Sequence, residues 1–281
     1  MKRFILLVAA VAAWSAEEST RTIEKTVPLG ANGSLAVCGM NGSVRVTAGD
    51  GNDVRFTVRE RISAPTRERL EELKKEVDFV ITAETGAVRA GVKGPWGGRE
   101  CGRRDDQPRG EKRGRWEWNE TKVEHEVNVV APRGARLEIR TVNGGIEVTG
   151  TTGAYLVTTV NGGIKMTDVA GAGEVSTVNG TVVATFKQNP SAETKFRTVN
   201  GKLDLYFQPS LSADFHVKTV NGKAYTDFDM ASIGGEETKG MKVIHRRGTS
   251  GALRAGNGGP KISAETVNGS ILIHSLEKGR P

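Results

Sequence analysis

Thr141-Val142-Asn143-Gly144 decides the reading of this chain, because the same four residues return at Thr159, Thr177, Thr198, Thr219 and Thr266. The intervals are 18, 18, 21, 21 and 47 residues. A tetrapeptide returning at a short, nearly constant spacing marks a chain that stacks one small unit on the next. Two residues before each Thr stand Ile139, Val157, Val175, Phe196, Val217 and Ala264; five after it stand Ile146, Ile164, Val182, Leu203, Ala224 and Ile271. Further positions follow in steps of two, with Leu137, Tyr155, Phe215 and Ile262 upstream and Val148, Met166, Leu205 and Ile273 downstream. A period of two belongs to a strand with one buried face. Each unit therefore carries two short strands joined at Asn-Gly.

Asn-Gly is also the strongest signal for a two-residue hairpin, because both residues accept positive φ. A hairpin-rich sandwich is thus the rival architecture. Hairpins need no fixed tetrapeptide, however, and a second turn recurs as Gly150-Thr151-Thr152-Gly153 and Gly171-Ala172-Gly173. Two strands and two corners in 18 to 21 residues fit one coil of a β-solenoid, with like residues stacked at roughly 4.8 Å. The expected fold is all-β, a solenoid of the single-stranded β-helix kind. Asn143, Asn161, Asn179, Asn200, Asn221 and Asn268 are expected in one column, in that order, as a hydrogen-bonded amide ladder. Each motif Gly supplies a corner that a Cβ would obstruct.

The 281 residues are only 5% aromatic and include 36 glycines, which suits thin columns of Val, Ile and Leu better than a conventional core. Met1-Lys2-Arg3, an apolar run to Trp14, and the small residues Ala13, Ser15 and Ala16 read as a signal peptide over 1–16, too short for a stable membrane span. This implies secretion across the inner membrane to the periplasm, cell envelope or exterior. Removing Lys2 and Arg3 lowers the formal charge from +7 to +5 (7 − 2 = 5). Residues 17–134 form a β-rich part. Within it Leu35, Val37 and Met40-Asn41-Gly42 read as a degenerate repeat, and alternation marks strands over 54–58, 79–81, 87–92 and 123–130. Pro65 opens a helix over 65–77, with Leu70, Leu73 and Val77 on one face. The pattern breaks over 94–120, an Arg- and Trp-rich insertion holding Trp96, Trp116 and Trp118, every tryptophan outside the leader. Residues 135–275 form the repeat body, interrupted by an excursion over 224–255 with strands at 225–228 and 241–244; 276–281 is a tail.

The run Val127-x-Val129-x-Ala131-Pro132-x-Gly134-Ala135-x-Leu137-x-Ile139-x-Thr141-Val142-Asn143-Gly144, with its repeated Thr-x-Asn-Gly units, resembles the bacterial putative-adhesin family, a domain of unknown function. Gly256-x-Gly258-Gly259-Pro260-x-Ile262-x-x-x-Thr266-Val267-Asn268-Gly269-Ser270-Ile271 resembles that family's closing coil. The resemblance spans roughly residues 30 to 275, and the insertion over 94–120 departs from it. It implies a β-solenoid in the bacterial envelope and brings no catalytic residues.

Enzymes on β-solenoids that cut polysaccharides need acidic groups clustered on one outward face. The outward residues beside the Thr are Arg140, Thr158, Ser176, Arg197, Lys218 and Glu265, then Glu138, Leu156, Glu174, Lys195, His216 and Ser263. No unit offers a close carboxylate pair, and no Ser-His-Asp set has a nucleophile elbow. Asp50-Gly51-Asn52-Asp53 lacks the remaining ligands of a calcium loop and reads as a turn. Two Cys and four His lack metal-ligand spacing, so neither metal nor cofactor is expected. Cys38 and Cys101 stand either as a disulfide, in an oxidising compartment, or as two free thiols.

The expectation is a non-enzymatic, adhesin-like binding or structural module; the alternative is a polysaccharide-active enzyme on the same scaffold. Lys195, Arg197, His216 and Lys218 are expected as a two-by-two basic patch on neighbouring units, with Lys202 and Lys223 just beyond the corners. Like charges stacked at about 5 Å are unfavourable, which points to an anionic glycan, lipid headgroup or phosphate polymer; the other reading is a solvated face whose side chains splay apart. Glu147 beside Lys165 reads as ordinary surface pairing. Trp96, Trp116 and Trp118 among arginines suit stacking on sugars or a membrane interface, or a loop whose Trp side chains fold back over the solenoid edge. Another envelope protein is a further partner class. Secretion argues against nucleic acid, and the repeat leaves the oligomeric state open.

Overall fold

The computed structural model describes residues 16–94, 121–233, 237–238, 242–245 and 250–277. They form an all-β fold of two mixed sheets, one of twelve strands and one of eleven, with one helix. Seven strand pairs make up the repeated part, each turning at an Asn that names the unit here. They are Asn41 (Ser34–Cys38, Val44–Gly49), Asn143 (Arg136–Arg140, Ile146–Thr149), Asn161 (Tyr155–Thr158, Ile164–Val169) and Asn179 (Gly173–Asn179, Val182–Phe186). Then come Asn200 (Thr194–Asn200, Leu203–Phe207), Asn221 (Ala213–Asn221, Ala224–Thr226) and Asn268 (Lys261–Asn268, Ile271–Ser275). First strands lie in the larger sheet and second strands in the smaller. The Asn-Gly turn therefore crosses between sheets and is not the loop of a two-stranded hairpin. Neighbouring units are parallel and matched residue for residue, for example Leu137 with Tyr155 and Ile146 with Ile164.

Three of the four motif residues have an evident reason. The Thr is buried, and in five of the six motifs its hydroxyl donates to a carbonyl of the neighbouring unit's Gly: Thr159 to Gly144 at 3.0 Å, Thr177 to Gly162 at 2.9 Å, Thr198 to Gly180 at 2.9 Å, Thr266 to Gly201 at 3.1 Å and Thr219 to Gly269 at 3.0 Å, whereas the buried Thr141 hydroxyl has no such partner. The Gly must be Gly because a Cβ at Gly144, Gly162 or Gly180 would land on the carbonyl oxygen of Gly42, Gly144 or Gly162 beneath it. The Asn side chains join in one chain of amide hydrogen bonds. Val142, Val160, Val178, Val199, Val220 and Val267 point outward, and Val160, Val178 and Val220 are exposed.

The order of units differs from the order in sequence. Asn143 donates to Asn41, Asn161 to Asn143, Asn179 to Asn161 and Asn200 to Asn179, each at 2.8 Å. Asn268 then donates to Asn200 at 2.7 Å, and Asn221 to Asn268 at 2.8 Å. The last unit in the chain is thus seated between the Asn200 and Asn221 units in both sheets. This corrects the expected neighbours of Asn221 and Asn268 and adds Asn41 to the row. The six motif Asn residues are exposed.

Between the sheets lies one apolar core. Where units lengthen to 21 residues the core fills with rings: Phe186 stacks on Phe207 at 4.9 Å, and Phe196 and Phe215 meet those rings edge-on at 6.1 and 5.8 Å. The helix spans Arg67–Glu76, shorter at both ends than expected. Thr66 caps it by accepting from the Arg69 amide at 3.2 Å, and it buries Leu70 and Leu73 against Asp53–Ala64. Ala224–Thr226 belongs to the repeat stack, not to the excursion. The excursion beyond it supplies Met230–Ser232, Glu237–Thr238, Lys242–His245 and Ser250–Ala255, all antiparallel to their neighbours. At the opposite end Glu17–Pro28 and Asp53–Ala64 add antiparallel to Lys122–Pro132, and Asp78–Glu84 adds antiparallel to Ala87–Lys93. Both ends of both sheets therefore finish in antiparallel strands.

Candidate functional site

The Thr-Val-Asn-Gly corner presents three outward rows: the residue before Thr, the Val and the Asn. The anticipated basic patch lies on this corner but is not contiguous. Lys195 and His216 both neighbour Ser263, and Arg197 and Lys218 both neighbour Glu265, because the Asn268 unit sits between them. The anion that a basic patch calls for is supplied in part by the chain's own Glu265, between Arg197 and Lys218. Lys202 bonds Asp204 at 2.7 Å and Lys195 approaches Glu193 at 3.4 Å. Arg197, Lys218 and Lys223 have no ion-pair partner among the described residues, and Lys218 and Lys223 lie either side of the exposed Val220 in the Asn221 unit. Trp96, Trp116, Trp118 and Cys101 lie outside the described residues. Cys38 is disulfide-bonded, which removes the reading of two free thiols.

The same insertion assembles a cluster on the outer face of the smaller sheet that sequence order hides. His274, in the inserted unit, has Nε2 at 3.3 Å from Asp204 Oδ1 and Nδ1 at 3.5 Å from Asp227 Oδ2. Both carboxylate side chains are only 9% exposed. Tyr206 stacks on His274 at 4.8 Å; burial, with the Asp204 carboxylate beside it, raises the phenol above its ordinary value. Asp227 Oδ1 accepts from the Ser275 amide at 2.7 Å. These two carboxylates are committed to neighbouring units, and they face opposite ring nitrogens rather than a common point. The arrangement pins three units together and leaves no open pair for acid–base work. Among the described residues no group of three His, Cys, Asp or Glu converges to hold a metal ion.

Near the other end, Glu60 and His125 occupy inward positions of otherwise apolar strands, a signal the alternation of Val54, Phe56, Val58, Glu60 and Ile62 already carried. Arg21 Nε and Nη2 donate to Glu60 at 2.6 and 3.1 Å, and His125 Nε2 lies 3.0 Å from Glu60 Oε2. Burial alone would push the Glu60 carboxyl up, but the bonds from His125 and Arg21 and the Arg21 charge together hold it below its ordinary value. The group is closed off beneath Phe79, whose ring lies 5.6 Å from His125, and is structural.

A groove of about 860 Å³ opens on the smaller sheet near the second corner, lined by Lys165, Thr167, Thr185, Lys187, Gln208 and Leu276 among others. Lys165 neighbours Glu147 in register, but Glu147 bonds Arg45 at 2.8 Å instead. Asp50 pairs with Arg133 at 3.0 Å, in keeping with a turn at 50–53.

No family model and no curated protein matches the chain. Among solved structures it is similar to a putative cell adhesion protein from Clostridium sporogenes ATCC 15579, at 11% identity over 91% of this chain and 100% of that one, TM-score 0.41. It is also similar to a putative adhesin from Bacteroides fragilis NCTC 9343, at 9% identity over 91% and 97%, TM-score 0.39. A third likeness is to a putative lipid binding protein from Parabacteroides distasonis ATCC 8503, at 8% identity over 91% and 96%, TM-score 0.29. Among the described residues no helix is long and apolar enough to cross a membrane.

Proposed function

We propose that the chain is a secreted β-solenoid of the bacterial cell envelope, a non-enzymatic, adhesin-like module whose Asn-Gly corner binds repetitive anionic surfaces. On this reading residues 1–16 are a signal peptide, 17–134 a capping part and 135–275 the solenoid, with the amide row as its ladder. The observation that supports it is the corner itself. Six units repeat one outward Val-Asn pattern in register and the Asn41 unit extends the amide row, so outward Val and amide groups recur at about 4.8 Å, and Arg197, Lys218 and Lys223 stand near them without an ion-pair partner among the described residues. A periodic ledge of weak contacts suits a polymer or headgroup lattice, where many small terms add.

The test is retention of the full chain on anionic glycan and on anionic lipid vesicles, against neutral glycan and neutral vesicles. Binding should weaken as salt rises, since the contacts are exposed and screened. The Arg197→Ser/Lys218→Ser variant should lose most of the salt-sensitive part while its unfolding midpoint stays unchanged. A Trp116→Ala/Trp118→Ala variant probes the 94–120 insertion in the same assay, where stacking makes salt matter less. Retention unchanged in both variants would overturn both sites, and depolymerisation of the glycan would favour an enzyme.

A further inference from the structure

We propose that the seat of the Asn268 unit also accepts that unit from a second copy, so that chains link by exchanging residues 261–275. Four observations carry this. The unit is inserted out of sequence order, between the Asn200 and Asn221 units, so no corner turn ties it directly to either neighbour. Its tether is Gly256-Asn257-Gly258-Gly259-Pro260, where Gly256 and Gly258 have φ of +57° and +78°, conformations that an L side chain would resist and glycine adopts freely.

The third observation is what the empty seat would look like. The tetrapeptide gives every unit the same register, so the Asn200 and Asn221 units could pair directly. Doing so would set Arg197 against Lys218 and Lys202 against Lys223, and like charges directly opposite each other destabilise a sheet. The seat therefore resists closing on itself.

The fourth is the fit of the occupant. Ser270 separates Lys202 from Lys223, Glu265 separates Arg197 from Lys218, and His274 separates Asp204 from Asp227. Without His274 the buried Oδ1 of Asp204, which has no hydrogen-bond partner, would also lose the ring nitrogen 3.3 Å away. A unit of this charge pattern satisfies the seat whichever chain supplies it, and exchange of an identical element adds no new contact to be evolved.

The test uses two full-length copies with different tags, one carrying Lys195→Cys and the other Ser263→Cys, co-expressed and oxidised. Register partners on adjacent parallel strands lie within disulfide reach. A covalent dimer bearing both tags is expected, rising with expression level. As controls, one chain carrying both substitutions should close its own disulfide, and Lys195→Cys paired with Glu138→Cys on the second copy should give no two-tag dimer. A closed internal bond without two-tag dimer overturns exchange; failure of the internal bond overturns the seat itself. Equal dimer in the Glu138→Cys control shows random collision and overturns the proposal too. None of these readouts depends on retention by glycan or lipid.

Discussion

The repeat stack from Arg136 to Phe207 and the N-terminal part from Glu17 to Lys93 meet the same need by opposite means. In the stack the corners meet their polar needs with the unit below: amide to amide, Gly against Gly and, from Thr159 onward, Thr hydroxyl to carbonyl. In the N-terminal part, outside the Asn41 unit, no such rule recurs. A capped helix covers one end, long antiparallel ladders align the strands, and one hydrogen-bonded trio of Arg21, Glu60 and His125 fills a place that the alternation reserves for apolar groups. The stack tolerates no deviation at a few small positions, whereas the N-terminal part concentrates its sensitivity in one buried carboxylate.

The contrast is sharpest at glycine. Gly180→Ala drives a methyl into the Gly162 carbonyl, backbone against backbone, and is expected to cost at least about 3 kcal/mol or to abolish soluble expression. Gly86→Ala meets nothing within 4 Å and only strains φ at +72°, for about 1 kcal/mol. Urea unfolding of the two variants measures the difference, and equal midpoints would erase the distinction.

Next in size is Glu60→Ala, which leaves His125 and the Arg21 head without their shared acceptor, at about 3 kcal/mol. Because the folded carboxyl is held below its ordinary value of 4.5, its contribution is present above that pH and is lost as pH falls through the folded value. The gap between Glu60→Gln and the parent chain should therefore narrow below pH 4.5. A gap that stays constant in acid would show that the carboxylate's charge is not what matters.

Smallest is the amide row. Asn179→Ala removes two exposed hydrogen bonds and should cost about 1 kcal/mol. Asn268→Ala should match it, since Asn268 bonds Asn200 on one side and Asn221 on the other. A markedly cheaper Asn268→Ala would return that unit to the end of the row, where its place in the sequence had suggested it.

That last case shows what the sequence can carry. Period-two alternation around each Thr located the strands, and Leu70, Leu73 and Val77 located the helix, because burial imposes those patterns locally. The tetrapeptide could not say which unit neighbours which, for six identical corners are interchangeable in register. Neighbour choice is written instead in Glu265, His274, Lys195 and Arg197, single outward residues whose meaning appears only when the partner strand is known. The Asp204–His274–Asp227 cluster stayed hidden for the same reason, and the basic patch was read with its middle row missing.

The antiparallel strands at both ends of both sheets have a consequence for growth. A stack of equivalent parallel ledges is a template on which any further copy of the ledge can settle, which is how cross-β fibres elongate. Among the described residues three of the four sheet edges end in a strand that runs against the stack, Asp78–Glu84, Lys242–His245 and Glu237–Thr238, whose rim groups are out of phase with an incoming Thr-Val-Asn-Gly segment. At the fourth, Asp53–Ala64 is reversed but Glu17–Pro28 beyond it runs with the stack again, and there charged side chains such as Arg21, Glu24 and Lys25 oppose further pairing. Polarity reversal at three edges and charge at the fourth work against indefinite repetition.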